Sequence, residues 1–136
     1  MNYGYTVLAG EIAKFVNALG LDAYYGFYHK MRTSFQPLIY DLLEPYRWLV
    51  DYAVYQTQEE GIKRKEYAWS REGRVFLDTN LIRRFLVLLS TKFDSERLYK
   101  SRHGLKRADG LAMCQEITIA KIDIQNLAEY CTGRMN

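Results

Sequence analysis

One histidine and two carboxylates lie close together in the first third of the sequence. His29 is one of only two histidines in the chain, and Asp41 and Glu44 follow it within fifteen residues. If the segment after Pro37 is helical, the two acids are three residues apart and share one helix face. An imidazole from the preceding loop then completes a mixed nitrogen and oxygen site of the kind that binds a divalent cation. The pattern predicts a metal site at His29, Asp41 and Glu44.

Several basic residues are candidates for contact with phosphate groups. Arg47 follows Glu44 by three residues, so a guanidinium lies beside the predicted metal site. Residues 97–107 include five basic residues and no acid. Clustered Lys and Arg are sufficient for sequence-independent contact with a nucleic-acid backbone. The candidates for nucleic-acid binding are Arg32, Arg47, Arg102, Lys106 and Arg107.

The same residues also fit ordinary structural roles. A loop histidine commonly makes a structural hydrogen bond, and exposed carboxylates three residues apart on a helix are commonplace. The basic segment 97–107 fits a solvated loop, and residues 63–65 fit a soluble linker. Nine of the twelve tyrosines precede residue 56, and they fit a semi-buried wall of the core as well as a stacking surface. Motif spacing alone leaves these alternatives open.

Helices are the main elements that position these candidates. Apolar residues recur with a helical period over four stretches, and Pro45 is expected to kink the second because its ring blocks a backbone hydrogen bond. The predicted helices span residues 3–19, 37–56, 78–93 and 109–133. The predicted fold is mainly α, a single helical domain over residues 1–136 with about four main helices and a possible short β-hairpin.

Four segments between the helices are predicted to be non-helical. Residues 21–36 form a long, aromatic-rich loop that carries His29, and long ordered loops are often functional. Residues 57–65 form a polar linker, and residues 66–78 resemble a short hairpin with its turn at residues 71–73. Residues 94–108 form a second polar loop. Inside the last helix, residues 117–124 also alternate as a strand would.

Length and composition favour one globular domain. A chain of 136 residues with 49% hydrophobic residues can bury a core, so disorder is not expected. The formal net charge of +3 is compatible with nucleic-acid binding without indicating it. Cys114 and Cys131 are predicted on one helix about 25 Å apart, so a disulfide between them is not expected while that helix is intact. Free thiols favour the cytoplasm, and neither a secretory leader nor a membrane-spanning apolar run is expected.

Four motifs together resemble one protein family. They are N-Y-G-Y from Asn2 to Tyr5, G-L-D-x-x-x-G-F-x-H from Gly20 to His29, D-L-x-E-P from Asp41 to Pro45, and H-G-L-K-R followed by M-C-Q-E between His103 and Glu116. This set resembles the C-terminal helical domain of the CRISPR-associated endonuclease and integrase family, Cas1. The resemblance spans essentially the whole chain.

The resemblance implies a function, a cofactor and partners. Members of the family are metal-dependent DNA nucleases and integrases that insert short foreign DNA fragments into a repeat array during prokaryotic antiviral defence. Carried over residue by residue, His29 and Glu44 are implied metal ligands, and Asp41 is the neighbouring active-site acid. Mg²⁺ or Mn²⁺ is the implied ion. DNA, a homodimer and the small CRISPR-associated protein Cas2 are the implied partners.

The resemblance also implies parts that precede the printed sequence. In the family, a first metal-binding glutamate lies in an E-G-x-x-A segment upstream of the N-Y-G-Y opening, and an N-terminal β-domain mediates dimerisation. We therefore expect a truncated or partial form. It is either an enzyme domain that keeps two or three ligands and binds metal weakly, or a catalytically incomplete fragment that binds DNA or a partner. A helical scaffold without DNA affinity is the third alternative.

Overall fold

The computed structural model of the chain describes residues 2–30, 36–100 and 110–134. The helices in these ranges are α1 (Asn2–Ala18), α2 (Pro37–Leu43), α3 (Arg47–Glu59), α4 (Thr79–Asp94) and α5 (Glu116–Cys131). The strands are β1 (Tyr67–Trp69), β2 (Val75–Leu77), β3 (Glu96–Lys100) and β4 (Leu111–Gln115). The predicted mainly α fold is confirmed. None of the helices in the described ranges is long and apolar enough to cross a bilayer.

The second predicted helix is interrupted at Pro45. Helix α2 ends at Leu43, residues Glu44–Tyr46 form one 3₁₀ turn, and α3 begins at Arg47. Proline has no N–H to donate, and its ring crowds the preceding turn, so continuous α-helical bonding stops there. The expected disturbance of the helix at Pro45 is thus a local loosening into a 3₁₀ turn, with Glu44 at its first position.

Helix α1 supplies much of the core. Its side chains Leu8, Ile12 and Val16 repeat every four residues and are fully buried, as expected for the apolar stripe of an amphipathic helix. Helix α1 contacts α2, α3 and α5, while α4 packs against α3 and α5. The other core side chains that are fully or almost fully buried include Leu38, Leu43, Leu49, Val50, Ala53, Leu89, Ile119, Ala120 and Ile124.

Gly4 sets how closely α1 approaches its neighbours. A Cβ atom at this position would lie 2.5 Å from Val50 Cγ1 and 2.7 Å from Phe85 Cζ, which is closer than packed carbon atoms tolerate. The glycine therefore lets α1 lie directly against side chains of α3 and α4. No such crowding exists at Gly10, where nothing lies within 4 Å of an added Cβ.

The second half of the chain corrects two of the sequence-based predictions. Strands β3 and β4 pair antiparallel, with Glu96 opposite Gln115 and Lys100 opposite Leu111. The predicted polar loop is therefore wrong for residues 96–100, and the last helix begins at Glu116 instead of residue 109. Cys114 lies in β4 and Cys131 ends α5, so the two cysteines do not share a helix.

A partly buried polar cluster fixes this second half to the first. Asp123 on α5 accepts hydrogen bonds from the hydroxyls of Tyr46 and Tyr99, which come from the 3₁₀ turn and from β3. Arg97 Nε lies 2.8 and 3.0 Å from the two carboxylate oxygens of buried Glu116. Burial and the hydrogen bond to Asp123 raise the pKa of Tyr99 to about 12, and they raise the pKa of Tyr46 further above its ordinary value. Both hydroxyls therefore stay protonated at neutral pH and act as donors.

The predicted hairpin is confirmed. Strands β1 and β2 pair antiparallel, with Tyr67 opposite Leu77 and Trp69 opposite Val75. Gly73 in the turn has a φ of 76°, a conformation that favours glycine. Asp78 follows as the N-cap of α4, and its side chain accepts from Asn80 N at 3.0 Å; the helix was predicted to begin at residue 78.

Candidate functional site

His29 and Asp41 lie in direct contact. The Nδ1 atom of His29 is 2.5 Å from Asp41 Oδ1, and only 4% of the Asp41 side chain is exposed. A carboxylate can only accept, so Nδ1 carries the proton of this hydrogen bond. A metal ion would then bind this ring through Nε2. Metal-binding histidines almost always donate their other ring N–H to a carboxylate or carbonyl, so the pair has the arrangement of such a ligand.

Asp41 also holds the backbone of the loop that carries the histidine. Its Oδ2 accepts from Phe27 N at 2.5 Å and Tyr28 N at 3.0 Å, and its Oδ1 accepts from His29 N at 3.0 Å. Burial raises the pKa of Asp41, but the three backbone N–H groups and the His29 ring lower it more, so the pKa lies below its ordinary value of 3.8. Asp41 is therefore ionised at neutral pH, and these four hydrogen bonds occupy both of its oxygens.

Gly26 allows the loop to wrap around this carboxylate. A Cβ at Gly26 would lie 2.7 Å from Asp41 Oδ2, 2.7 Å from Pro37 Cβ and 2.8 Å from the His29 carbonyl oxygen. Any larger residue would separate the loop from the start of α2. The glycine of the G-F-x-H segment thus has a steric role, since it lets three consecutive N–H groups converge on one side chain.

Glu44 has a different set of partners. Its carboxylate lies 3.2 and 3.3 Å from Arg47 Nη1, and both side chains are about half exposed. The Arg47 guanidinium carbon is 4.7 Å from the centre of the Tyr5 ring, and the Tyr5 hydroxyl donates to Asp51 Oδ1 at 2.5 Å. The 3₁₀ turn positions Glu44, the first turn of α3 positions Arg47, and α1 supplies the tyrosine.

This second cluster opens onto a cavity of about 320 Å³. The cavity is lined by Tyr5, Thr6, Tyr40, Leu43, Glu44 and Arg47. A guanidinium and a carboxylate at the wall of one cavity can bind a phosphate oxygen and a cation, respectively. The two charged groups of this wall, Glu44 and Arg47, are at present paired with each other, and His29 is not among the lining residues.

The structure brings some of the predicted site residues together. It joins His29 to Asp41 and Glu44 to Arg47 as two pairs. Within residues 2–30, 36–100 and 110–134, no group of three His, Cys, Asp or Glu side chains is placed so that it could hold a metal ion. The predicted phosphate contacts Arg32, Arg102, Lys106 and Arg107 lie outside the described residues. Among the nucleic-acid candidates, only Arg47 can be located.

Three residues of the site were not selected from the sequence. Each acts through a contact between segments far apart in the chain. Gly26 lies against Asp41, which is 15 residues away in sequence. Tyr5 contacts Arg47, 42 residues away, and donates to Asp51, 46 residues away. Gly26 and Tyr5 nevertheless lie within the motifs quoted above, whereas Asp51 lies six residues beyond the D-L-x-E-P motif.

Comparison with known proteins identifies the family. The family model described as CRISPR associated protein Cas1 matches residues 1–91, which is more than half of the chain. The chain belongs to the Cas1 family. The family resemblance deduced from the four motifs is thereby confirmed, and the matched residues include His29, Asp41, Glu44 and Arg47.

Individual Cas1 proteins match over shorter stretches. The CRISPR-associated endonuclease Cas1 1 of Archaeoglobus fulgidus is 33% identical over 104 residues, which is 76% of this chain and 30% of that protein. The CRISPR-associated endonuclease Cas1 2 of Saccharolobus solfataricus is 34% identical over 65 residues, which is 48% of this chain and 21% of that protein. The chain thus spans less than a third of the length of these relatives.

A solved structure matches almost the entire chain. A casposase bound to an integration product aligns with a TM-score of 0.84 and 28% sequence identity, and covers 98% of this chain and 36% of the casposase chain. The arrangement of helices described here is therefore shared with a casposase of related sequence.

Proposed function

We propose that this chain is the helical catalytic portion of a divalent-metal-dependent DNA endonuclease and integrase that acts in the adaptation step of CRISPR antiviral defence. The contact between His29 Nδ1 and Asp41 Oδ1 at 2.5 Å carries the proposal, because it orients the imidazole as a metal ligand. Membership of the Cas1 family and similarity to a casposase bound to an integration product support it. DNA is the proposed substrate. A homodimer and Cas2 are proposed partners of the full-length protein.

His29 and Glu44 are the proposed ligands of Mg²⁺ or Mn²⁺. His29 would bind the ion through Nε2 and Glu44 through a carboxylate oxygen; the carboxylate suits both ions, whereas an imidazole nitrogen is a softer ligand than Mg²⁺ prefers. When bound, such an ion polarises a phosphate oxygen and lowers the pKa of a coordinated hydroxyl. Two ligands do not complete a coordination sphere, and the family resemblance implies a further glutamate ligand from an E-G-x-x-A segment upstream of the N-Y-G-Y opening.

The other residues of the site position the reacting groups. Asp41 takes part by orienting the His29 ring and fixing the loop, since its oxygens already accept four hydrogen bonds. Arg47 donates to the phosphate oxygens of DNA from the wall of the cavity, and the ring of Tyr5 supports its guanidinium. Arg32, Arg102, Lys106 and Arg107 remain predicted contacts to the DNA backbone. A cytoplasmic location remains a prediction that follows from the free thiols.

Paramagnetic broadening by Mn²⁺ tests the proposal without requiring a complete site. The chain has two histidines, so the ring signals of His103 provide an internal control for those of His29. We expect Mn²⁺ to broaden the His29 signals first and Glu44→Gln to weaken that effect. Glu11→Gln is the matched control, because Glu11 also pairs with a basic residue three positions later, on α1. Equal broadening of both histidines would contradict the metal site.

A nuclease assay then separates the two functions left open by the sequence. Mn²⁺-dependent cleavage of branched or linear DNA that is lost in His29→Ala supports the enzyme. The alternative, a catalytically incomplete fragment that binds DNA or a partner, is favoured by the absence of a three-ligand group within the described ranges. Salt-sensitive DNA binding without cleavage would support that alternative. Cleavage that persists in His29→Ala would refute the assigned site.

A further inference from the structure

The β1–β2 hairpin presents a surface that the catalytic proposal does not use. Trp69 is 64% exposed and Phe76 is 60% exposed, although both lie in paired strands. Tyr25, Phe27, Tyr28 and Tyr130 are more exposed still, so what distinguishes the hairpin is the combination of exposed rings with exposed cations on one short segment. The register places Trp69 beside Val75 on one face, next to the turn, while Phe76 lies on the other face beside Ala68.

The same segment also carries an excess of positive charge. Residues 61–75 contain five basic and two acidic side chains, an excess of +3; residues 97–107 carry a larger excess but lie partly outside the described residues. All five basic side chains of residues 61–75 are exposed, and Glu66 is buried, so Glu72 is the one exposed acid of the segment, with its carboxylate 3.8 Å from Arg74 Nε. The five are Lys63, Arg64, Lys65, Arg71 and Arg74.

The hairpin is anchored at its base. Glu66 is only 8% exposed and accepts from Lys63 N at 2.7 Å and from Arg84 Nη2 at 3.5 Å. Arg84 Nη2 also donates to the Gly61 carbonyl at 3.0 Å, and Asp78 N donates to the Glu66 carbonyl at 2.7 Å. These bonds join both ends of the hairpin to α4 and to the segment after α3.

The tip of the hairpin is also ordered. Ser70 Oγ accepts from Glu72 N at 3.2 Å and from Arg74 N at 3.0 Å, and Ser70 N donates to the Arg74 carbonyl at 2.7 Å. Such side-chain bonds to the turn backbone restrict its conformation. Trp69 therefore projects from a preorganised support, so ordering it on binding costs little conformational entropy.

We infer that this hairpin is a binding surface for single-stranded DNA, with an unpaired base stacked on Trp69 and the backbone phosphates contacted by Arg71 and Arg74. Aromatic rings interleaved with cations are the combination that binds single strands without sequence preference. The charge excess complements a phosphate backbone and repels a basic partner. Bases in a duplex present no free face to an indole, which is why the occupant is a single strand. The inference rests on the proposal that DNA is the substrate.

Tryptophan fluorescence of the whole chain tests this assignment directly. The chain has two tryptophans, so Trp48→Phe leaves Trp69 as the sole reporter. We expect a short oligothymidine single strand to quench that emission, because thymine stacks on the indole. The same strand annealed to its complement should quench it weakly. Trp69→Ala, with unchanged circular dichroism, should weaken single-strand binding in an anisotropy assay by roughly five- to hundred-fold, as expected for one stacked base.

Salt dependence tests the two arginines. The double variant Arg71→Gln/Arg74→Gln should reduce the slope of log K against log salt by about 1.4, since each neutralised phosphate on a single strand contributes about 0.7. Lys14→Gln/Lys121→Gln is the matched control, because it removes two exposed charges from α1 and α5 and should leave the slope unchanged.

Three results would overturn the inference. Single-strand binding without quenching of Trp69 would place the DNA elsewhere on the chain. Equal quenching by the duplex would exclude a stacked, unpaired base. A concentration-dependent change of Trp69 emission without DNA would show that a second copy of the chain covers the hairpin. None of these results touches the metal site, which the Mn²⁺ response of His29 tests separately.

Discussion

Replacing Asp41 with asparagine should show how much the loop of His29 depends on one carboxylate. The substitution preserves the shape of the side chain but removes its charge and turns one acceptor oxygen into an NH₂ donor. The one carbonyl oxygen of the asparagine can accept from two of the four N–H groups that bond to Asp41. The other two N–H groups then face the new NH₂ group and lose their acceptor. The loop 26–30 should loosen, while the core around α1 keeps its packing.

The four hydrogen bonds to Asp41 set the magnitude. They have lengths of 2.5, 2.5, 3.0 and 3.0 Å, and two of the four are lost. A hydrogen bond to a charged group contributes about 1.5–3 kcal/mol, and the lower end applies here because the Phe27 and Tyr28 residues are exposed and water can replace the lost acceptor. We expect a loss of about 2–3 kcal/mol in the free energy of unfolding. For a chain of this size, Tm should fall by roughly 8–12 °C.

Urea denaturation and amide hydrogen exchange measure the two parts of this prediction. Denaturation gives the change in the free energy of unfolding, and exchange at residues 27–29 reports whether the loop has opened. Asp22→Asn is the matched control from the same loop, because Asp22 accepts one backbone bond, from Tyr24 N at 2.9 Å. It should cost less than about 1 kcal/mol.

A small effect would refute this reasoning. If Asp41→Asn and Asp22→Asn destabilise the chain equally, the convergence of three N–H groups on Asp41 does not stabilise the fold. If the amides of residues 27–29 keep their protection in the variant, the loop is held by other contacts, and Asp41 does not position His29.

Three further predictions follow from other parts of the structure. Gly4→Ala should destabilise the chain by about 1–3 kcal/mol, because the added Cβ overpacks the contact with Val50 and Phe85. Gly10→Ala should stabilise it by about 0.5–1 kcal/mol, because the added Cβ meets no neighbour and alanine favours the helix. The free energy of unfolding should fall as pH rises from about 10 to about 12, because folding raises the pKa of Tyr99 from 10.0 to about 12; Tyr99→Phe should reduce this fall. Arg47→Gln should tighten Mn²⁺ binding about two- to five-fold, because Glu44 loses a competing cation, and should weaken DNA binding.

Each of these predictions has a decisive measurement. Thermal unfolding of the two glycine variants checks the first, and equal Tm values would contradict it. Denaturation midpoints between pH 9 and 12 check the second, and an identical pH profile for Tyr99→Phe would contradict it. Mn²⁺ titration of the His29 signals checks the third, with Lys14→Gln as the control for loss of an ion-paired cation from α1. Weaker Mn²⁺ binding in Arg47→Gln would contradict the competition.

Helices and their ends could be predicted because the signals are local. The repeat of Leu8, Ile12 and Val16 places the buried face of α1, and Pro45 marks the break between α2 and α3. Asp78 and Gly73 mark the N-cap of α4 and the hairpin turn before it. Each signal acts within one turn of the chain, so no knowledge of distant segments is required.

The β3–β4 pair could not be predicted in this way. Its ladder joins residues 11 to 19 positions apart, from Lys100 with Leu111 to Glu96 with Gln115, and the strand burial pattern shows no strict alternation. Strand formation depends on the partner strand and on the packing of both faces, more than on local preference. The helical period of the residues after 115 was therefore continued back to residue 109, and the last helix was predicted to begin seven residues too early.

The sequence by itself determined the family, the helical class and the identity of the candidate ligands, because motif spacing and helical period are properties of the chain alone. Only the tertiary structure decided how those residues are used. It pairs Asp41 with the loop and the ring of His29, pairs Glu44 with Arg47, and places Tyr5 beneath that guanidinium. A carboxylate has the same chemistry in either role, so its function depends on which donors the fold brings to it.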